Sequence, residues 1–290
     1  MRLRNPLFAP GDAPRKLAKA LASPADAVIL DLEDSVAPSA KPAARDGVAA
    51  LLASRPGRPG LVVRVNPRDT EWYLADLAAV VPGRPDAVLL PKCAGPEDLT
   101  ALDHHLEALE AAAGLERGAI RILALVTETA ASLASMDYEG VTPRLAALLF
   151  GAEDLAADLG IAPRDETGAH PAPIAAARAA LLVAAAQARV PALDTPWPDP
   201  RDPDGLGAEI AASVRDGFAG KLCIHPDQIA PAARAFTPPP DRVAWARAVR
   251  DLFAAEAGAG VLTLEGKMID RPHLKLAERI LAAVPDEGGA

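Results

Sequence analysis

Eight short apolar runs, spaced along most of the chain, limit the choice of fold more than any other feature. They lie at residues 6–9, 27–32, 61–65, 87–90, 120–127, 145–150, 190–194 and 221–224. Most of the intervals hold Ala/Leu stretches with charges at helical spacing, at 14–22, 42–54, 96–113, 130–136, 173–188 and 207–216. Strands that alternate with helices are parallel and joined by crossovers. Eight such units close into a barrel rather than an open sheet. A chain of 290 residues holds one α/β barrel, typically about 250 residues, with some length left over. Half of the residues are apolar but only 3% are aromatic, so the core must be built from Ala, Leu and Val. The expected fold is α/β: a (β/α)8 TIM barrel over 1–230, then a C-terminal helical extension over 231–290.

The chain leaves the barrel after His225. Pro238-Pro239-Pro240 leads into a helix at 241–257 and a Gly-punctuated segment at 258–266. A polar turn at 267–272 and a last helix at about 273–284 come next, with 286–290 expected to fray. Such a segment has no place in the barrel itself. Its expected use is to cover the rim as a lid or to exchange with a neighbouring subunit.

The residues just past each apolar run carry the chemistry. The second run ends in Asp31-Leu32-Glu33-Asp34, the third in Arg64-Val65-Asn66 and the fourth in Pro91-Lys92. The fifth ends in Thr127-Glu128-Thr129, the sixth in Gly151-Ala152-Glu153-Asp154 and the eighth in His225-Pro226. In a barrel all these ends share one rim, the face where catalysis sits. Ordinary turns account for the Pro, Gly, Asn and Asp. They account less well for a Glu, a Lys and an Arg.

Glu128 and Asp154 end neighbouring strands. Two carboxylates are close to a minimal Mg2+ site, since that ion fills its octahedron with water and substrate oxygens. The same acids could instead cap helices or pair with Arg. Arg64, aimed into the barrel mouth, suits bidentate binding of a carboxylate. A structural ion pair with Asp31, Glu33 or Asp34 is the other reading, and the two are compatible. Acids crowded on one rim repel unless cations lie among them. The candidates are a metal, Arg64, Lys92, Lys41 and Arg45. His225 reads either as a turn-packing element or as a general base.

Composition excludes other classes. The net charge is −9, and no basic run is interleaved with aromatics, which argues against nucleic acid. No apolar run reaches the roughly 20 residues of a membrane span, and the N-terminus lacks a signal-peptide core. Cys93 and Cys223 have no metal or redox spacing. They read as reduced, buried thiols of a cytoplasmic protein.

Several ordered motifs carry a resemblance. They are Leu7-Phe8-Ala9-Pro10-Gly11 with Lys19-Ala20, Asp26 through Asp34, Val63-Arg64-Val65-Asn66, and Leu90-Pro91-Lys92. Next come Thr127-Glu128-Thr129, Gly151-Ala152-Glu153-Asp154-Leu155, and Gly217 through Lys221 with Ile224-His225-Pro226. Gly266-Lys267-Met268-Ile269-Asp270 is the last. In this order they resemble the HpcH/HpaI aldolase and citrate lyase β-subunit family, the CoA-ester lyases of the pyruvate kinase-like barrel superfamily. One departure is Thr129-Ala130-Ala131-Ser132, where many members carry a Gly soon after the Glu.

The resemblance implies a cytoplasmic homo-oligomer, trimer or hexamer, that uses Mg2+, with Mn2+ as the alternative ion. It implies that Glu128 and Asp154 hold the metal and that Arg64 clamps a 2-oxo acid, with Glu33 and Asp34 in the substrate site. Arg4, Lys16 and Lys19 would meet the phosphates of CoA. Asp270 would act as acid/base in a neighbouring subunit's site. The implied reaction cleaves or forms a 3-hydroxyacyl-CoA such as malyl-, citramalyl- or citryl-CoA, giving an acyl-CoA and a 2-oxo acid. The alternatives are a malyl-CoA thioesterase, a CoA-independent 2-oxo acid aldolase, and a non-catalytic subunit of a lyase complex.

Overall fold

Eight parallel strands succeed one another in chain order around a single sheet: β1 (Leu7–Pro10), β2 (Ala27–Asp31), β3 (Gly60–Arg64), β4 (Ala87–Leu90), β5 (Arg121–Leu125), β6 (Leu145–Leu149), β7 (Ala192–Asp194) and β8 (Gly220–Lys221). This computed structural model describes residues 1–54, 59–256 and 258–284. The sheet closes through a parallel bridge between Leu7 and Cys223. Three backbone bonds support it: Lys221 N to Arg4 O at 3.0 Å, Cys223 N to Pro6 O at 2.8 Å and Phe8 N to Cys223 O at 2.9 Å. Gly220 permits the approach, because a Cβ there would meet the Leu3 carbonyl oxygen at 2.0 Å. The expected (β/α)8 barrel is the fold found.

Both faces of the strands are buried, as parallel sheets require. Ile29, Val62, Leu89, Leu123, Leu149 and Leu193 meet inside the barrel. Their alternates Val28, Leu30, Val63, Val88 and Leu90 have no exposure either and face outward. Arg64 shares the inward phase of Val62, so its side chain enters the barrel mouth. The register shifts by one residue between β5 and β6, where Ala147 rather than Ala146 pairs with Leu123.

The surrounding helices are α1 (Pro14–Leu21), α2 (Lys41–Ser54), α3 (Tyr73–Val80), α4 (Pro96–Ala112), α5 (Ala152–Leu159), α6 (Ala172–Gln187), α7 (Pro203–Asp216) and α8 (Ile229–Ala235). Of these, α3, α5 and α8 go beyond the helices expected from sequence. The helix expected at 130–136 is only a 3-10 turn, Ala131–Ala134. There Ser132 Oγ donates to Thr129 O at 2.6 Å, and Thr129 Oγ1 accepts from Ser132 N at 3.2 Å. Local side-chain bonds of this kind compete with α-helical pairing. No helix among the described residues is long and apolar enough to cross a membrane.

The chain divides into two compact units, Met1–Ala233 and Arg234–Ala290. The second holds α9 (Pro240–Ala255), an antiparallel hairpin of β9 (Val261–Leu264) and β10 (Lys267–Asp270), and α10 (Arg271–Ala282). Residue 257, the end of the expected helix, and 286–290 lie outside the described residues. The two helices expected for the extension are present, and the hairpin occupies the expected Gly-punctuated segment and polar turn between them. Glu265 and Gly266 both take positive φ, 50° and 76°, which makes the tight two-residue turn that joins twisted strands. Leu262, Leu264 and Ile269 then pack with Ala246, Val249, Phe253 and Ala277 into a small core of this unit.

Candidate active site

The site is built from the ends of β2 to β6. At the end of β2, Asp31 faces Arg64 at the end of β3 in a two-bond pair. Arg64 Nε donates to Asp31 Oδ1 at 2.7 Å and Nη2 donates to Oδ2 at 2.7 Å. Asp31 also accepts from Ser35 Oγ at 2.5 Å and from the Glu33 amide at 2.9 Å. Burial alone would raise the Asp31 carboxyl, but the Arg64 bonds and charge, Ser35 and the Glu33 amide outweigh it and hold it low. Burial likewise opposes the Arg64 charge, yet Asp31, Glu33 and Glu128 keep the guanidinium firmly protonated. The third nitrogen, Nη1, lies 2.9 Å from Glu33 Oε2 without hydrogen-bond alignment, so that buried oxygen has an ionic neighbour but no hydrogen-bond donor. The Phe8 ring lies 4.8 Å from the guanidinium carbon. The structural ion pair foreseen for Arg64 is therefore present, and Arg64 still lines the cavity at the barrel mouth.

The other rim cations divide. Lys92 ion-pairs with Glu33, Asp34 and Asp154. Lys41 does not bind the rim carboxylates. Its Nζ donates to the Leu32 and Glu33 carbonyls at 3.0 and 2.9 Å and to Asn66 Oδ1 at 2.6 Å. Arg45 pairs with Asp76 at 2.8 Å, and Asp76 in turn accepts from Asn66 N and Nδ2. These two cations brace the backbone behind the rim.

Glu128 is buried just past β5, with 3% of its surface exposed. Its Oε2 accepts from the Lys92 backbone amide at 2.5 Å. Burial, then the charges of Asp154 and Glu33, push its carboxyl up to about 8, against the pull of the Lys92 amide and Arg64. The Gly151 backbone presses on it, for a Cβ at 151 would stand 2.5 Å from Glu128 Cγ. Gly151 N is held by Thr127 Oγ1 at 3.0 Å, which fixes this approach. Asp154 lies in the first turn of α5, directly after Gly151, with its side chain about one-third exposed. A raised, buried carboxyl beside two other acids calls for a cation. The donors are carboxylate oxygens, and among the described residues no group of three or more His, Cys, Asp or Glu forms a cage. That donor set fits a hard ion that keeps several waters, such as Mg2+.

Glu128, Asp154, Arg64 and Asp34 open on one cavity of about 720 Å3, which Lys16 and Lys19 of α1 also line. Its apolar wall includes Phe8, Leu125, Phe150 and Leu222. Two expected members are elsewhere. Arg4 precedes β1, at the opposite end of the strands from the rim, and grips Asp26 through Nε at 2.8 Å and Nη2 at 2.7 Å. Glu33 is almost wholly buried behind the wall, held by Arg64 and Lys92, so it positions the cations rather than facing the cavity.

His225 borders the cavity, and its Nδ1 accepts from the Asp227 amide at 3.3 Å, which is the turn-packing arrangement. Asp270 lies in the second unit, at the end of β10 and the start of α10, with His273 Nδ1 2.5 Å from its Oδ1. The sequence motifs contain Phe8, Thr127 and Lys92 but do not announce three of their roles: the Phe8 ring beneath Arg64, the Thr127 hydroxyl behind Gly151, and the Lys92 backbone amide on Glu128. Thr127 was visible as a polar residue within an apolar run. The other two depend on packing and a backbone turn that no local pattern announces.

The model of the HpcH/HpaI aldolase/citrate lyase family matches residues 4–226. The chain is 34% identical to the citrate lyase subunit beta of Escherichia coli strain K12, over 96% of this chain and 92% of that protein. It is also 34% identical to the L-malyl-CoA/beta-methylmalyl-CoA lyase of Rhodobacter capsulatus, over 96% and 93%. Among solved structures, it is similar to CitE from Mycobacterium tuberculosis in complex with magnesium, acetoacetate and coenzyme A. The TM-score is 0.72 and the identity 34%, over 96% of this chain and 97% of that one. The rim carboxylates, the arginine in the barrel mouth and these similarities agree: the chain belongs to the HpcH/HpaI aldolase/citrate lyase family.

Proposed function

We propose that this protein is a Mg2+-dependent carbon–carbon lyase that cleaves or forms a 3-hydroxyacyl-CoA, exchanging it with an acyl-CoA and a 2-oxo acid. The observation that carries the proposal is one cavity lined by Glu128, Asp154 and Arg64, with Lys16 and Lys19 on its wall. The similarity to a citrate lyase β subunit, to a malyl-CoA lyase and to a structure holding magnesium, acetoacetate and coenzyme A supports the same chemistry.

Glu128 and Asp154 hold the ion. When bound, Mg2+ supplies Lewis-acid polarisation of the oxygen that becomes the 2-oxo acid carbonyl. Arg64 binds the substrate carboxylate with the N–H groups that Asp31 leaves free, and Asp31 keeps the guanidinium from turning away. Phe8, Leu125, Phe150 and Leu222 exclude water, which strengthens each charge interaction inside. Lys16 and Lys19 meet the CoA phosphates, and Arg4 drops out of that set. Cleavage passes the electrons of the C–C bond to the acyl carbon, which takes up a proton as the substrate hydroxyl loses one. Asp270 exchanges the proton at the acyl carbon, serving a neighbouring subunit's site. The second unit is then a subunit-exchanging segment, and the enzyme is a cytoplasmic homotrimer or hexamer. Free, buried Cys93 and Cys223 agree with a reducing compartment.

The test is replacement of Glu128 or Asp154 by Ala. Each should abolish Mg2+-dependent turnover while circular dichroism and the melting profile stay native-like. Full activity in either variant contradicts the ligand assignment.

A further inference from the structure

Lys92 touches both proposed metal ligands by two independent routes. Its backbone takes a left-handed φ of 48°, a conformation unusual for a side-chain-bearing residue. That turn points its N–H at Glu128 Oε2, 2.5 Å away. Its side chain runs back over the rim. The ammonium bonds Glu33 Oε1, lies 3.3 Å from Asp34 Oδ2 and stands 3.5 Å from Asp154 Oδ1.

We infer that Lys92 is a positioning residue that stands in for the metal. Its amide fixes Glu128 permanently, while its ammonium neutralises Asp154 and yields that carboxylate when the divalent ion arrives. The inference rests on the assignment of Glu128 and Asp154 as ligands. Two links in the geometry separate the two jobs. The amide N–H is present in Lys, Met, Gln and Arg alike, so each of these residues at 92 keeps the donor to Glu128. The ammonium is anchored more closely by Glu33 than by Asp154. It therefore remains beside the site after releasing Asp154, and a dication bound there feels a fixed positive neighbour. That neighbour weakens the metal's hold and keeps the ion exchangeable.

The physical consequence has a definite sign. A residue that only braced the site would, on removal, loosen metal binding. A competing counter-ion would, on removal, tighten it. A unit charge within several ångströms of a dication is strong enough at protein-surface dielectric to change affinity about tenfold or more. Asp34 and Glu33 lose one of their two cations at the same time, keeping Arg64, which deepens the negative potential and acts in the same direction.

The test is Mn2+ binding to the substrate-free protein, read by the electron paramagnetic resonance signal of the free ion. Lys92→Met keeps the amide and the side-chain bulk, Lys92→Gln keeps the amide with a shorter polar chain, and Lys92→Arg keeps the charge. The expected result is that Met and Gln each bind Mn2+ at least about tenfold more tightly than the parent, while Arg stays within about threefold. Unchanged or weaker binding in both neutral variants overturns the counter-ion role. Asp154→Asn in the parent background separates the two claims. If it loses Mn2+ binding, the ligand assignment stands and the Lys92 result is decisive on its own. If it binds Mn2+ as the parent does, the ligand assignment fails and the Lys92 inference fails with it. Melting curves on each variant report folding, and the two neutral replacements guard against failure of either one.

Discussion

Arg64 and Asp31 meet across neighbouring strands through two parallel bonds of 2.7 Å each, both ends buried in the mouth of the barrel. The pair has two consequences that can be separated. It stabilises the rim, and it presents the rest of the guanidinium to the cavity. Asp31→Ala leaves a buried charge with a weaker partner set and should cost about 3 kcal/mol in stability. The double change Arg64→Met with Asp31→Leu should recover most of that stability, because apolar pairs of similar volume replace buried ion pairs well. It should recover no turnover. Thermal melts and steady-state kinetics on the same three proteins check both halves.

Arg64→Lys keeps the charge and loses the planar fork. The ammonium cannot bind Asp31 bidentately and a substrate carboxylate together. A fall in kcat/KM of about 100-fold or more is expected, with the melting temperature changed far less than in Asp31→Ala.

Gly151→Ala would force a methyl group to 2.5 Å from Glu128 Cγ. Gly151 has φ −111° and ψ 93°, so the backbone itself tolerates Ala and the effect is purely one of space. The expected outcome is a loss of about 1–3 kcal/mol in stability. Mn2+ affinity should fall as well, because Glu128 must move. Titration of the ion into both proteins measures the second effect directly.

Asp194 provides the acid-stability prediction. Burial would raise its carboxyl, but the Lys221 charge, the bonds and charge of Arg178 and the Ser213 hydroxyl outweigh it and hold it below its usual value. A depressed carboxyl contributes stability that is fully present above its unfolded value near about 4 and is lost as pH falls through the folded one. Asp194→Asn should therefore destabilise the protein at pH 7 by about 3–5 kcal/mol. The gap to the parent should narrow as denaturation is repeated below about pH 4. A gap independent of pH would contradict the ionic origin of the effect.

Cys93 and Cys223 are both pushed up to about 12, chiefly by burial. Neither presents a thiolate near neutrality, so neither should react with a disulfide reagent such as DTNB in the native state. Both should titrate after unfolding in guanidinium chloride.

The strands were legible because both their faces are buried, which writes each one as an unbroken apolar run. Short or one-sided elements were harder. In α3 the sequence Tyr73 to Val80 is apolar nearly all round, so it shows no helical stripe. The acids of the first turn of α5 come so soon after a strand that they read as a rim loop. The hairpin of the second unit hides behind Gly258, Gly260 and Gly266, though its Leu262, Leu264 and Ile269 do alternate. At the site, Glu128, Asp154 and Arg64 were readable as charges placed where an apolar run stops. Arg4 was misplaced, because its partner Asp26 is 22 residues away and nothing local signals the pairing. The roles of Lys41 and Arg45 were hidden for the same reason. Lys92 was readable as a cation among acids but not as the donor to Glu128, since that bond depends on one left-handed backbone angle.

A lyase breaks the C–C bond of its substrate, whereas a thioesterase breaks the thioester bond. Purified protein with Mg2+ should be offered malyl-, methylmalyl-, citramalyl- and citryl-CoA, with glyoxylate, pyruvate and oxaloacetate measured separately from free CoA. Release of one 2-oxo acid in step with an acyl-CoA, dependent on Mg2+ and without free CoA, is the predicted result. Free CoA released without any 2-oxo acid would contradict it and make the protein a thioesterase.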